Sequence, residues 1–144
     1  MKVLVQRSKH SYVKVNDKIV GQIDHGYVLF VSFSKDDTTK NIDKLIPKIV
    51  NLRIFDDSEK VMNKSILDVS GSALSISQFT LYASTKKGNR PSYVECLNKD
   101  EAQKLYGYFN SQLEKFIKVE KGIFHEDMEV HITNDGPVTI MLEG

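Results

Sequence analysis

The 144-residue sequence has one cysteine, Cys96, three prolines and no tryptophan. A lone thiol cannot close an internal disulfide, and one cysteine cannot build a zinc site. It suits a reducing compartment, so the expected location is cytoplasmic. No apolar run approaches the roughly 20 residues that a helical membrane span requires. The opening MKVLVQRSKHSYVKV alternates apolar and polar residues and lacks the unbroken apolar centre of a secretory signal. No membrane partner is expected. Charge of one sign is also missing: 20 Lys and Arg stand against 19 Asp and Glu, a formal net charge of +1. A polyanion site therefore has to come from local clustering. There is no G-x-S-x-G elbow and no Walker loop. The four histidines, His10, His25, His125 and His131, form no i,i+4 helical pair, and each reads first as a surface or strand-edge residue. Neither metal nor cofactor is expected. The carboxylate pairs Asp36-Asp37 and Asp56-Asp57 lie in turn-like stretches and read as solvated loop charge.

What is present reads as a soluble globular protein, with 40% apolar and 27% charged residues. The length suits one domain over 1–144 that can bury a core without staples, and no repeat divides it. Val3, Val5, Val13 and Val15 mark early β segments, and Asn16-Asp17 is a turn before Lys18-Ile19-Val20. Tyr27 to Phe33 is almost continuously apolar, as in a strand buried on both faces. Ile42, Leu45, Ile46, Ile49 and Val50 form one helical stripe within 38–51, which Pro47 is expected to kink or shorten. Leu74 to Ala83 reads as a further strand. Asn98 to Glu101 resembles a capping box, opening a helix whose apolar face is Ala102, Leu105, Tyr106, Phe109, Leu113, Phe116 and Ile117. Met128, Val130 and Ile132, then Val138, Ile140 and Leu142, alternate as two strands of a closing hairpin about Thr133–Pro137. The expected class is α/β (α+β): a mostly antiparallel, barrel-like sheet closing on itself, with two main outer helices.

Two segments offer chemistry. Ser77-Gln78-Phe79-Thr80-Leu81-Tyr82-Ala83 sets hydroxyls and an amide in an apolar run. It is either a half-exposed strand or a pocket wall presenting hydroxyls and backbone N–H groups to a small polar ligand. Asn134-Asp135-Gly136-Pro137-Val138-Thr139 is, on local chemistry, a hairpin turn.

Taken together, several runs resemble one known family. They are Met1–Arg7, Asp36-Asp37-Thr38, Lys48–Phe55, Met62–Ser65, Ser77–Ala83, Lys87–Tyr93 and Asn134–Ile140 (NDGPVTI). SQFT followed by NDGPVT, in a chain of this length, is similar to the D-aminoacyl-tRNA deacylase (D-tyrosyl-tRNA deacylase) family from end to end. The resemblance implies a homodimer in which a cis Gly136–Pro137 unit reaches into the partner's active site, and a braced contact from Arg7. Alternatively, Arg7 is an ordinary surface arginine. Asn134, Thr139 and Met141 join Gly136 and Pro137 in the implied chiral-selection group. Ser77, Gln78, Phe79 and Thr80 form the implied catalytic pocket.

The implied reaction is hydrolysis of the ester of D-aminoacyl-tRNA, releasing tRNA and D-amino acid, with glycyl-tRNA also accepted. An ester passes through a tetrahedral oxyanion, which the N–H groups of Phe79 and Thr80 can stabilise. Thr80 Oγ has no histidine or lysine beside it in sequence to act as base, and the substrate's own 2′-hydroxyl is the implied activator of water. Lys86, Lys87 and Arg90 cluster after SQFT and are the expected contacts to the tRNA backbone, or else a solvated charge run. Two other readings stay open. One is a related deacylase of mischarged L-aminoacyl-tRNA, and the other is a non-catalytic tRNA-binding module. The sequence departs from the family pattern at Ser32-Phe33-Ser34-Lys35 and at Phe124–Met128, where His125 is a candidate for the pocket rim.

Overall fold

A computed structural model describes residues 1–144. In chain order the elements are β1 (Lys2–Ser8), β2 (Ser11–Val15), β3 (Lys18–Ile23), β4 (Gly26–Ser32), α1 (Thr39–Val50), β5 (Phe55–Asp56) and β6 (Met62–Lys64). There follow β7 (Ser72–Ser77), a 3₁₀ turn (Phe79–Tyr82), α2 (Lys99–Leu113), β8 (Lys118–Lys121), β9 (Glu129–His131) and β10 (Asn134–Glu143).

Local chemistry accounts for most of these elements. Asn16 and Asp17 both take positive φ, +49° and +62°, the backbone of a tight hairpin turn between β2 and β3. In α1 the expected stripe Ile42, Leu45, Ile46, Ile49 and Val50 is buried. Pro47 does not end the helix. It lies on the exposed side near the C-terminus, as does Asp43, whose carbonyl it leaves without a helical donor, and the helix runs on to Val50. The Pro47 carbonyl then accepts the Asn51 side-chain amide at 2.8 Å. Asn98 caps α2 by accepting the Glu101 N–H at 3.1 Å, and its own amide donates back to the Glu101 carboxylate at 2.6 Å. Tyr106, Phe109 and Leu113 face inward as expected, but α2 stops at Leu113 and Phe116 is 52% exposed.

Five strands form the main sheet in the spatial order β10-β1-β4-β7-β8. One face carries Val3, Val5, Tyr27 and Leu29 and packs on both helices in the larger core. The other face, through Val28, Leu74 and Ile76, packs on Val13 and Ile23 of the three-stranded sheet β3-β2-β9. The mixed α/β class with two helices and several sheets is as expected. The sheet, however, does not close into a barrel. β10–β1–β4 is antiparallel while β4–β7 and β7–β8 are parallel.

Two segments depart from the expected strands. Leu74–Ala83 is a strand only as far as Ser77, after which the chain winds into the 3₁₀ turn. The closing hairpin does not form: β9 pairs with β2 and β10 with β1, in different sheets. The crossing point is held at Thr133, whose carbonyl accepts the Lys9 N–H and whose N–H donates to Ser11 Oγ, both at 3.1 Å.

Candidate active site

Because β4 and β7 run parallel, with Val31 beside Ser77, their C-terminal ends open at the same edge of the sheet. Gln78 N–H still donates to the Val31 carbonyl at 2.8 Å; beyond it the backbone turns, and Leu81 N–H donates to the Gln78 carbonyl at 3.2 Å. The N–H groups of Phe79 and Thr80 thus open a helical turn, where no earlier carbonyl of that turn reaches them. Beside this turn lies a cavity of about 470 Å³. Its apolar wall includes Phe33, Ile76, Phe124 and Met128, and its polar wall includes Ser32, Ser77 and Gln78. His125, Glu126 and Asp127 complete the lining, so His125 does reach the pocket. Thr80 itself is exposed, and Gln78 Nε2 donates to its hydroxyl. No histidine or lysine hydrogen-bonds to that hydroxyl. The side chain of Phe79 is 58% exposed and meets Tyr93 edge-on at 5.0 Å between ring centres.

The second signature segment is built around Arg7. Between Gln6↔Thr139 and Ser8↔Asn134 the register of β1 and β10 slips, so that Arg7 alone faces the excursion Asp135–Val138. Turn chemistry shapes this excursion within one strand. Asn134 Oδ1 accepts the Val138 N–H at 3.0 Å, and Asn134 Nδ2 donates to Thr139 Oγ1 at 2.9 Å. The Gly136–Pro137 peptide bond is cis, and both residues are exposed. Arg7 is no surface arginine: it is 7% exposed. Its Nε donates to the Asp135 carbonyl at 3.1 Å and its Nη1 to the Ile54 carbonyl at 2.7 Å. It also pairs with Asp56 at 3.3 Å and with the Asp135 carboxylate at 3.6 Å. Met141 stands apart from this knot, exposed on β10 opposite Leu4.

The two signature segments do not meet within the chain. The excursion Asp135–Val138 faces Arg7 toward one end of the sheet, whereas Ser77 pairs with Val31, and Val31 with Val3, toward the other. Four residue steps along β1 separate these levels, about 13 Å at ~3.3 Å per residue, and β1 and β4 lie between β10 and β7.

A third element follows the 3₁₀ turn. Ser84 and Ser92 exchange backbone hydrogen bonds of 2.9 Å each and close a loop around Lys86, Lys87 and Arg90. All three cations are exposed, and none is in an ion pair. The sequence reading did not find Phe33, Leu97 or Ala102 in the cavity wall. No local signal marks them, because tertiary packing alone brings them to β7.

The chain matches the family model described as D-Tyr-tRNA(Tyr) deacylase over residues 4–143. Among solved structures it is similar to one described as c-Myc DNA Unwinding Element Binding Protein. The two are 37% identical with a TM-score of 0.94, over 100% of this chain and 99% of that one. It also shares its fold with one described as a probable eukaryotic D-amino acid tRNA deacylase. That pair is 20% identical with a TM-score of 0.85, over 99% of this chain and 98% of that one.

Proposed function

Since the chain belongs to the D-Tyr-tRNA(Tyr) deacylase family, we propose that it hydrolyses the ester of D-aminoacyl-tRNA in the cytoplasm. The products are free tRNA and D-amino acid, and L-aminoacyl-tRNA is spared. The whole of 1–144 acts as one catalytic domain, without metal or cofactor. The observation that carries this reading is the turn at Ser77–Thr80, which opens main-chain N–H groups beside a cavity lined by Ser77, Gln78 and Phe79. An ester carbonyl seated there develops negative charge as water adds, and preorganised N–H donors at Phe79 and Thr80 stabilise it. The Thr80 hydroxyl has an amide for a neighbour and no base. By the family resemblance, the group that activates water is the 2′-hydroxyl of the substrate's terminal ribose. Thr80→Ala is expected to keep kcat within about tenfold of the parent, the effect of one lost hydrogen bond. A loss of several orders of magnitude in single-turnover assays would restore Thr80 as nucleophile.

Chirality is assigned to Gly136–Pro137 of a second copy. About 13 Å along the strands, with β1 and β4 in between, keeps this unit from the chain's own cavity. A two-fold dimer brings each chain's excursion to the other's cavity, and one symmetric interface completes both sites. Without a Cβ, Gly136 lets the backbone stand where an L side chain must go, while a D side chain points to solvent. Arg7, Asn134 and Thr139 hold the excursion in shape, and Met141 lies further along the same exposed strand. Discrimination among D side chains is accordingly weak, and a glycyl ester, having no side chain to reject, is hydrolysed.

The loop 84–92 is assigned to the tRNA backbone. Replacing Lys86, Lys87 and Arg90 together by Ala is expected to raise KM about tenfold at low salt with kcat little changed. The slope of log KM against log salt should fall by up to about three, one for each lost phosphate contact. An unchanged salt slope in the triple variant would remove the loop from the tRNA footprint.

The function itself is tested by incubating the protein with D- and L-tyrosyl-tRNA and following release of tyrosine. Rapid loss of the D ester alone is expected. Equal or faster loss of the L ester would favour a deacylase of mischarged L-aminoacyl-tRNA. Nucleic-acid binding without turnover has one observation in its favour: the relative that is 37% identical is described as a DNA unwinding element binding protein. Retention of tRNA with no release from either ester would support it.

A further inference from the structure

The Phe79 carbonyl is met by two side-chain donors from distant parts of the chain. The Ser32 hydroxyl, at the end of β4 and 2% exposed, donates to it at 3.3 Å. The Cys96 thiol donates to it at 3.4 Å. Cys96 is fixed in place because its segment runs beside the end of β4: Lys35 N–H donates to the Glu95 carbonyl at 3.1 Å, and Leu97 N–H to the Phe33 carbonyl at 3.0 Å. Desolvation, with the Glu95 charge adding to it, pushes the thiol above its ordinary pKa, so at neutral pH it keeps the proton it donates.

Resting on the deacylase reading above, we propose that Ser32 and Cys96 are positioning residues that clamp the Phe79–Thr80 peptide plane and so aim the Thr80 N–H at the developing oxyanion. The peptide unit is rigid and planar, and its C=O and N–H point in opposite directions. Two donors on the oxygen therefore fix where the hydrogen points. They also polarise the unit, since donation to the carbonyl strengthens the N–H as a donor. Neither side chain needs to touch the reacting atoms.

The test compares two paired variants with the parent. Ser32→Ala with Cys96→Ala removes both donors. Ser32→Cys with Cys96→Ser exchanges them but keeps a donor at each position. On D-tyrosyl-tRNA the alanine pair is expected to lower kcat about tenfold with KM within about twofold, and the donor-keeping pair to recover most of that loss. In ¹⁵N-labelled protein the Thr80 amide proton is expected to move upfield in the alanine pair and to return in the donor-keeping pair. An unchanged kcat, or an unmoved Thr80 amide, overturns the clamp. Should the alanine pair fail to fold, Cys96→Ala alone, at a partly exposed position, carries the same comparison with a loss of about threefold. If the parent does not cleave D-tyrosyl-tRNA, the deacylase reading fails, while the amide shift still decides whether the clamp exists.

Discussion

Gly136→Ala is expected to lower kcat/KM on D-tyrosyl-tRNA by about a hundredfold and to narrow the margin between the D and L esters. Gly136 has φ +122°, a backbone that L side chains rarely adopt, and holding alanine there costs about 1–3 kcal/mol. Space is short as well. A Cβ at this position would stand 2.8 Å from Val138 Cγ2, 2.9 Å from an Arg7 guanidinium nitrogen and 3.1 Å from the Val138 main-chain nitrogen. The valine methyl can turn away. The guanidinium is tied to two main-chain carbonyls and the Val138 nitrogen to Asn134, so the excursion itself has to move. Displacement of a positioning element by about 1 Å is enough to cost a hundredfold in rate. Kinetics on both esters, with thermal unfolding as control for global damage, check the prediction. A variant that stays folded and keeps both its rate and its selectivity would remove Gly136 from the site.

Arg7→Ala is expected to lower stability by about 3 kcal/mol, roughly 10 °C in Tm for a chain of this size, and to lose activity with it. The cost is concentrated on the main chain. Ile54 is buried, and its carbonyl receives the shortest of the Arg7 hydrogen bonds. The Asp135 carbonyl loses its donor at the root of the Gly136–Pro137 excursion. Asp56 matters less because its side chain is 47% exposed, so Asp56→Asn should cost no more than about 1 kcal/mol. Arg7→Lys keeps the charge but not the planar fork that serves both carbonyls, and should recover only part of the loss. Urea unfolding of the three variants separates these contributions. A loss below about 1 kcal/mol for Arg7→Ala would show that the excursion does not depend on the arginine.

Much of this arrangement is legible in the sequence wherever the cause is local. The α1 stripe, the Asn98 cap, the Asn16-Asp17 turn and the doubly buried β4 each follow from periodicity or from side chains bonding to nearby backbone. The C-terminal segment is instructive in another way. Asn134 does perform turn chemistry, since its side chain accepts the Val138 N–H. The result is an excursion inside β10 rather than a reversal, because β1 supplies the pairing partner on both sides of it. That outcome depends on a strand more than 100 residues away and has no local signal. Arg7 carried a signal that could have been read: it shares strand parity with Val3 and Val5, which marks the core face. The cavity wall at Leu97, Ala102 and Phe124 has no such mark, being set by how α2 and the segment before β9 pack beside β7.

The central claim is that one chain's Ser77–Thr80 works with a second chain's Gly136–Pro137. Its most direct test is the mass of the active species, by size-exclusion chromatography with light scattering and a D-tyrosyl-tRNA assay across the same peak. The account predicts that hydrolysis elutes with a particle of twice the chain mass of 16.4 kDa. Full activity, with D-over-L selectivity intact, in a particle of a single chain would contradict it.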